Sequence, residues 1–123
     1  MLSNKIITLV RRLFQMTQEN KLQWVETARE GVYQLGIDDY IVRVAEEHGD
    51  DEKSPPNYVL RVCNAKGVVL EQVTDDDISE RVHDAGEFMR DLYQRARRIA
   101  MGVETALDRI IQRLEEESSQ ESR

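Results

Sequence analysis

The sequence predicts an α+β fold with an N-terminal helix, a four-stranded antiparallel meander and a long C-terminal amphipathic helix. Apolar residues recur at helical spacing near both ends of the chain, and the middle alternates apolar and polar residues with the period of two typical of strands. Apart from the loop at residues 48–57, the connections between those strands are too short for parallel crossovers. The 123 residues suffice for one domain. We place that domain at residues 1–117 and a disordered tail at residues 118–123.

The first predicted element is a helix over residues 3–18, with Ser3 suited to cap its first turn. Its apolar side chains follow the spacing that forms one buried face. They are Leu2, Ile6, Leu9, Val10, Leu13, Phe14 and Met16. Because the polar face holds only three cations, we expect this helix to cover a sheet or pair with the C-terminal helix rather than lie on a membrane.

Four alternating runs predict the strands of the meander, after a short extended piece at residues 21–27. The runs are Val32–Ile37, Tyr40–Ala45, Tyr58–Cys63 and Val68–Val73. Asp38 and Asp39 form a tight turn, and the hairpin loop at residues 64–67 ends on Gly67, which suits a left-handed position. Residues 48–57 contain no apolar side chain apart from two prolines, which predicts a mobile solvent loop.

The last predicted element is one unbroken helix from Ala85 to Leu114. Its apolar residues recur at alternating spacings of four and three, the seam period of a packed helix pair. They are Ala85, Met89, Leu92, Ala96, Ile99, Val103, Ala106 and Ile110. Such a helix spans about 45 Å, whereas a compact chain of this size is about 35 Å across. The helix must therefore bend, protrude or bury its end against another chain, and Gly102 permits a kink.

The excess helix length predicts self-association. Residues 103–114 have few candidate partners left in their own chain, so we expect them to pack against the first helix or against a second copy of the protein. The expected dimer face consists of Ile99, Val103, Ala106, Leu107, Ile110 and Leu114.

Charge is unevenly distributed along this acidic chain, whose formal net charge is −7. That sign argues against nonspecific binding to nucleic acid. Acidic residues concentrate at positions 46–52 and 75–87, and four arginines lie between positions 90 and 98. Thr74 with Asp77 has capping-box spacing, as does Asp77 with Glu80. We favour solvated turns and helix caps over metal sites for the acidic segments, because neighbouring carboxylates point in different directions.

We find no motif for catalysis, a metal or a cofactor. Two histidines and the single Cys63 cannot form a zinc set, and the six glycines are scattered singly. No Ser-His-Asp or paired-carboxylate arrangement stands out. We therefore expect no enzyme, no metal and no cofactor. The lone cysteine, the lack of a signal peptide and the lack of a long apolar span favour a cytoplasmic protein with no membrane partner.

Two segments carry a resemblance. The first reads Lys21-Leu22-x-Trp24-x-Glu26-Thr27, and the second, which is more specific, reads Leu92-Tyr93-x-x-Ala96-Arg97-Arg98-x-Ala100-x-Gly102-Val103. Over most of its length the chain resembles a family of short, uncharacterised bacterial proteins. The resemblance implies a bacterial origin and the helix–meander–helix plan, and it implies no activity.

The same two segments supply a candidate cluster of Trp24, Glu26, Thr27, Arg97 and Arg98. Arg97 and Arg98 diverge by about 100° on a helix, so only one of them can point to a given place. We expect Arg98 or Arg97 to reach Glu26 or stack on Trp24 and so tie the helix to the sheet. The functional alternative is that this cluster holds an anionic ligand.

The sequence favours a non-enzymatic interaction or accessory module, homodimeric through its C-terminal helix and acting with an unidentified protein partner. One alternative is a sensor of a small ligand or anion that uses the region of Trp24 and Arg98. The other is an acidic regulator, such as an antitoxin or inhibitor, that binds a basic partner through residues 46–52 and 75–87.

Overall fold

The computed structural model describes residues 3–49 and 53–121, with side chains over 3–49 and 53–119. Its elements, in chain order, are α1 (Asn4–Gln18), β1 (Val25–Glu26), β2 (Val32–Ile37), β3 (Tyr40–Glu47), β4 (Asn57–Asn64), β5 (Val69–Thr74), α2 (Asp75–Ile78), α3 (Ala85–Ala100) and α4 (Val103–Glu121). The predicted α+β class, N-terminal helix and antiparallel sheet are confirmed. Leu2 and residues 50–52 of the predicted solvent loop lie outside the described residues.

Helix α1 begins and ends with local capping bonds. Ser3 Oγ accepts the backbone N–H of Ile6 at 3.3 Å, as expected of an N-cap. At the other end Asn20 takes a left-handed conformation with φ of 59°. The N–H of Asn20 then donates to Thr17 O at 3.0 Å, and that of Lys21 donates to Met16 O at 2.9 Å. These are the two bonds of a Schellman cap, which stops the helix.

The sheet has five strands in the order β1-β2-β3-β4-β5, each antiparallel to its neighbour. The prediction of four strands is wrong, because the extended piece at residues 21–27 contains β1, which pairs Val25 with Gln34 and Glu26 with Tyr33. A strand of two residues is too short to show alternation. Strand β2 has its predicted bounds, and the ends of β3, β4 and β5 differ from prediction by one or two residues.

One face of the sheet forms the floor of the core. A cross-strand row runs from Tyr33 through Val44 and Leu60 to Val73, and all four side chains are buried. Helices α1 and α3 cover this face, and their apolar residues join the sheet in one cluster. Where the two helices meet, the rings of Phe14 and Phe88 stack with centroids 4.4 Å apart.

The opposite face of the sheet is polar at its centre. Gln34, Arg43, Arg61 and Gln72 form one continuous cross-strand row. Arg43 Nε donates to Gln34 Oε1 at 3.2 Å, and Arg61 Nε donates to Gln72 Oε1 at 2.8 Å. Arg61 also pairs with Glu47 at 2.6 Å. The centre of this face is therefore polar, as one side of an antiparallel sheet commonly is, while Ala45, Val59 and Cys63 on the same face are buried.

Strand β5 forms one edge of the sheet and carries a bulge. Val62 pairs with Glu71 and Cys63 with Val69, so Leu70 has no opposite residue on β4. The side chains of Val68, Val69 and Leu70 are all exposed. The bulge interrupts the regular ladder on this edge, and an irregular edge pairs poorly with further strands.

Helix α2 is a single turn with the predicted capping box. Thr74 Oγ1 accepts the N–H of Asp77 at 3.2 Å, and Asp77 Oδ2 accepts the N–H of Thr74 at 2.8 Å. Ile78 and Val82 are buried after this turn and anchor the connection to α3.

The predicted unbroken helix from Ala85 to Leu114 is instead two helices. Helix α3 ends at Ala100, and α4 begins at Val103. Gly102 lies between them in the left-handed region with φ of 65°, a conformation that costs glycine nothing and other residues about 1–2 kcal/mol. Its N–H donates to Ile99 O at 3.1 Å, and its carbonyl accepts the N–H of Ala106 at 3.0 Å. Gly102 therefore ends one helix and starts the next, and we call Met101 and Gly102 the hinge.

Helix α4 continues through Glu121, so residues 118–121 of the predicted disordered tail are helical. Two side-chain pairs at helical spacing come just before residue 118. They join Gln112 to Glu116 and Arg113 to Glu117, and such pairs stabilise a helix in water. Residues 122 and 123 lie outside the described part of the chain. None of the helices in the described residues is both long and apolar enough to cross a membrane.

Candidate functional site

Helix α4 lies outside the core of the domain. Among the residues whose side chains are described, those that form or flank the core come from α1 to α3, the strands and their connections, and none comes from α4. The close backbone contacts of α4 are with the adjacent end of α3. From Glu104 to Ser119 every described side chain is exposed. The amphipathic pattern of α4 is therefore not explained by packing within its own chain.

Four large aliphatic side chains form the exposed apolar face of α4. Leu107, Ile110, Ile111 and Leu114 are 44%, 56%, 52% and 60% exposed, and we call them the α4 stripe. Their spacing of three, one and three residues places them on one side of the helix. Three of the four belong to the predicted dimer face, and Ile111 extends it.

The other predicted members of the dimer face lie around the stripe. Ala106 is exposed on α4, Val103 is half-buried at its start, and Ile99 packs partly against the core from α3. Since the hinge separates Ile99 from α4, that residue belongs to the domain rather than to the exposed face.

The end of α4 is acidic, whereas the end of α3 before the hinge is basic. The acidic end of α4 carries three consecutive glutamates, Glu115, Glu116 and Glu117, with Arg113 paired to Glu117 at 3.2 Å. The last two turns of α3, before the hinge, carry Arg95, Arg97 and Arg98. We call these three residues the hinge arginines.

The hinge arginines do not form the predicted cluster with the tryptophan segment. Arg98 pairs across the hinge with Glu104, and Arg95 pairs with Asp91 at 3.1 Å. Within the described residues, no ion pair or hydrogen bond joins Arg97 or Arg98 to Glu26, and no ring contact joins them to Trp24. Both guanidinium groups are on the exposed side of α3, where pairing with near neighbours in sequence is easier than reaching the sheet.

The tryptophan segment has structural contacts of its own. Trp24 is fully buried, and its Nε1–H donates to Thr17 Oγ1 at 3.0 Å. Thr27 Oγ1 donates within the turn before β2 and accepts the N–H of Arg29 at 3.2 Å. Glu26 is exposed at the sheet edge. A ligand cannot reach the indole ring directly in this arrangement.

A polar groove of about 630 Å³ lies beside the hinge. Its lining includes Thr17, Gln23, Arg95, Arg98 and Thr105, so this is the surface nearest to the anion site that the sequence suggested. Both of its arginines are already paired with carboxylates, which lowers their capacity to hold a further anion.

The acidic residues have local partners. Glu46 Oε2 accepts the hydroxyl of Tyr58 at 3.0 Å, and Asp75 Oδ1 accepts the backbone N–H of the same tyrosine at 3.1 Å. Across the described ranges, no group of three or more His, Cys, Asp or Glu side chains is placed to hold a metal ion. Cys63 is a buried free thiol in β4.

Two buried tyrosines link the sheet to the helices. Burial and the nearby Tyr33 raise the pKa of Tyr93 to about 12, and burial with the hydrogen bond to Glu46 raises the pKa of Tyr58. Both phenols are protonated near neutral pH, as tyrosines ordinarily are, and serve as donors. Tyr93 donates to Gly31 O at 2.9 Å, which fastens α3 to the turn before β2.

Comparison with models of protein families, with curated proteins and with solved structures finds no match to this chain. The class of the protein therefore follows from its own geometry. It is an α+β domain from which one amphipathic helix extends with its apolar side uncovered.

Proposed function

We propose that this protein is a non-enzymatic interaction module that associates with a second copy of itself through the α4 stripe. One observation carries the proposal. Leu107, Ile110, Ile111 and Leu114 form a contiguous aliphatic face about half exposed in the single chain. Clustered aliphatic exposure of this kind marks a contact surface, whereas single exposed leucines need no explanation.

The stability of α4 supports the same proposal. Helices in proteins gain most of their stability from packing an apolar face rather than from the helix propensity of their residues. Helix α4 has 19 residues, and its charged side supplies only short-range pairs worth about 0.2–0.5 kcal/mol each. Burial of the stripe against another surface would supply the missing stabilisation.

The alternatives receive less support from the described side chains. An anion sensor at the polar groove would use arginines that Asp91 and Glu104 already pair. An acidic regulator would use carboxylates of which several, such as Asp77 and Glu46, already serve the fold. The α4 stripe differs from both, because nothing in the described chain packs over it.

The mass of the protein in solution tests the proposal. We expect light scattering to give about twice the chain mass of 14.3 kDa. Replacing Ile110 with aspartate places a charge in the centre of the stripe and should weaken the dimer at least about 30-fold, since a central interface residue contributes about 2 kcal/mol or more. Gln112→Asp on the opposite side of α4 is the matched control and should leave the dimer intact.

A monomer across the micromolar to millimolar range would refute self-association. Equal effects of Ile110→Asp and Gln112→Asp would place the contact elsewhere on the molecule.

A further inference from the structure

The α4 stripe has an internal symmetry in its sequence. From position 107 to position 114 the chain reads Leu-Asp-Arg-Ile-Ile-Gln-Arg-Leu, so the apolar residues are arranged identically in both directions. Leucine occupies each end of the stripe, and the two isoleucines lie at its centre. If two such helices run in opposite directions, leucine meets leucine and isoleucine meets isoleucine.

This symmetry matches the contact that a twofold axis requires. An isologous dimer uses the same patch on both subunits, so that each residue meets its reciprocal position. We propose that two copies of α4 pair antiparallel about the midpoint between Ile110 and Ile111. Leu107 then lies level with Leu114 of the partner subunit. This orientation rests on the proposed self-association through α4.

The distribution of charge favours the antiparallel direction. In a parallel pair, the acidic ends Glu115–Glu117 of both helices would lie at the same level. In the antiparallel pair, the two Glu116 positions are about 16 Å apart along the axis at 1.5 Å per residue, which exceeds the screening length of about 8 Å at physiological salt. Opposite ends of the two helix dipoles also lie together.

The two domains also separate in the antiparallel pair. Each domain joins α4 at the hinge, about 13 Å from the midpoint of the stripe. Antiparallel helices put the two hinges on opposite sides of that midpoint. Parallel helices would place two domains, each about 35 Å across, at one end of the pair.

Disulfide trapping distinguishes the two directions. Leu107→Cys and Leu114→Cys are prepared separately, and Cys63 stays in place because its thiol is fully buried. Mild oxidation of a mixture should join position 107 to position 114, with at least about tenfold less of either homodisulfide. Identical positions are about 10 Å apart along the axis of an antiparallel pair, which exceeds the Cα separation of about 4.4–6.8 Å that a disulfide allows.

A second measurement leaves the stripe untouched. The distance between spin labels at Gln112→Cys or Glu116→Cys combines the separation of the two helices with the axial offset between equivalent positions. That offset is about 5 Å at position 112 and about 16 Å at position 116, so the distance should be longer at position 116. Equal distances at both positions, or efficient homodisulfides at 107 and 114, would overturn the antiparallel direction while leaving the α4 dimer in place. A monomer by light scattering, with neither cross-links nor dipolar signal, would overturn both proposals.

Discussion

Trp24 lies in the core, where it donates a hydrogen bond to the last turn of α1. Its indole N–H meets the hydroxyl of Thr17 in the last turn of α1, and both residues are buried. Thr17 follows Val10 by seven residues and Leu13 by four, so helical periodicity already places it on the buried side of α1. Helical periodicity thus indicates a buried polar residue on α1 near Trp24, and the predicted arginine contact did not include it.

Replacing Thr17 with valine should destabilise the protein by about 1–3 kcal/mol. Valine has the shape of threonine but lacks its hydroxyl, so the indole N–H of Trp24 remains buried without an acceptor. Urea denaturation followed by the fluorescence of this single tryptophan measures the free energy of unfolding.

Two other threonine variants control that measurement. Thr17→Ser keeps the acceptor and should cost less than Thr17→Val. Thr8→Val removes an exposed hydroxyl of the same helix and should change stability by less than about 0.5 kcal/mol. A Thr17→Val variant as stable as the original protein would mean that the hydrogen bond to Trp24 contributes nothing.

At the scale of elements, the hinge separates α3 from α4, although the apolar pattern of the sequence predicts one continuous helix. The apolar spacing of four and three residues continues from Ile99 through Val103 to Ala106, so periodicity predicts one helix across this region. Periodicity records which side of a helix is apolar, and a single left-handed residue hardly alters it. The break depends on the positive φ of Gly102, which the sequence could only permit.

The strands β2 to β5 were more predictable than the helix break, because a local sequence pattern encodes them. Each of β2 to β5 has six or eight residues, long enough for alternation to appear, and short turns after β2 and β4 favour antiparallel pairing. The two residues of β1 are recruited by pairing with β2. That pairing is a tertiary contact, and no local pattern encodes it.

Replacing Gly102 with alanine should straighten the hinge. Alanine loses about 1–2 kcal/mol in the left-handed conformation and gains about 1 kcal/mol over glycine in a right-handed helix. Free space surrounds the position of its Cβ, so sterics with neighbours do not decide the outcome. A continuous helix from Ala85 to Glu121 would be about 55 Å long, and small-angle X-ray scattering should record a larger maximum dimension.

Gly36→Ala is the matched control for this change. Gly36 lies in β2 with equally free space around its Cβ and without a positive φ, so the variant should keep the original dimensions. If Gly102→Ala also keeps them, contacts of α4 rather than the glycine determine the angle of the hinge.

The molecule as a whole consists of a packed domain and an appended helix. Excess apolar length was visible in the sequence, because about 45 Å of helix exceeds the diameter of the domain. The absence of contacts between the arginines and the tryptophan segment was not visible. Arg98 pairs with Glu104 only because the hinge turns the start of α4 beside it, and a straight helix would put that pair out of register.

Ending the chain after Met101 should leave the domain folded. None of the described residues of α4 belongs to the core, so we expect its free energy of unfolding at low concentration to stay within about 1 kcal/mol. The melting temperature of the full chain should rise with protein concentration, as that of a dimer does, whereas that of the shortened chain should not.

Removing only residues 118–123 is the control and should preserve the concentration dependence. An unfolded shortened chain would show that α4 stabilises the domain.

The separation at Gly102 also bears on how this protein can change over evolutionary time. Substitutions in a surface that doubles as core are selected for folding and for binding at once. In the described residues the α4 stripe contributes to no core, so under the proposed association its leucines and isoleucines would be selected for that contact alone. If α4 is the contact surface that we propose, its partner could change through substitutions in one helix, while the domain that carries it stays the same.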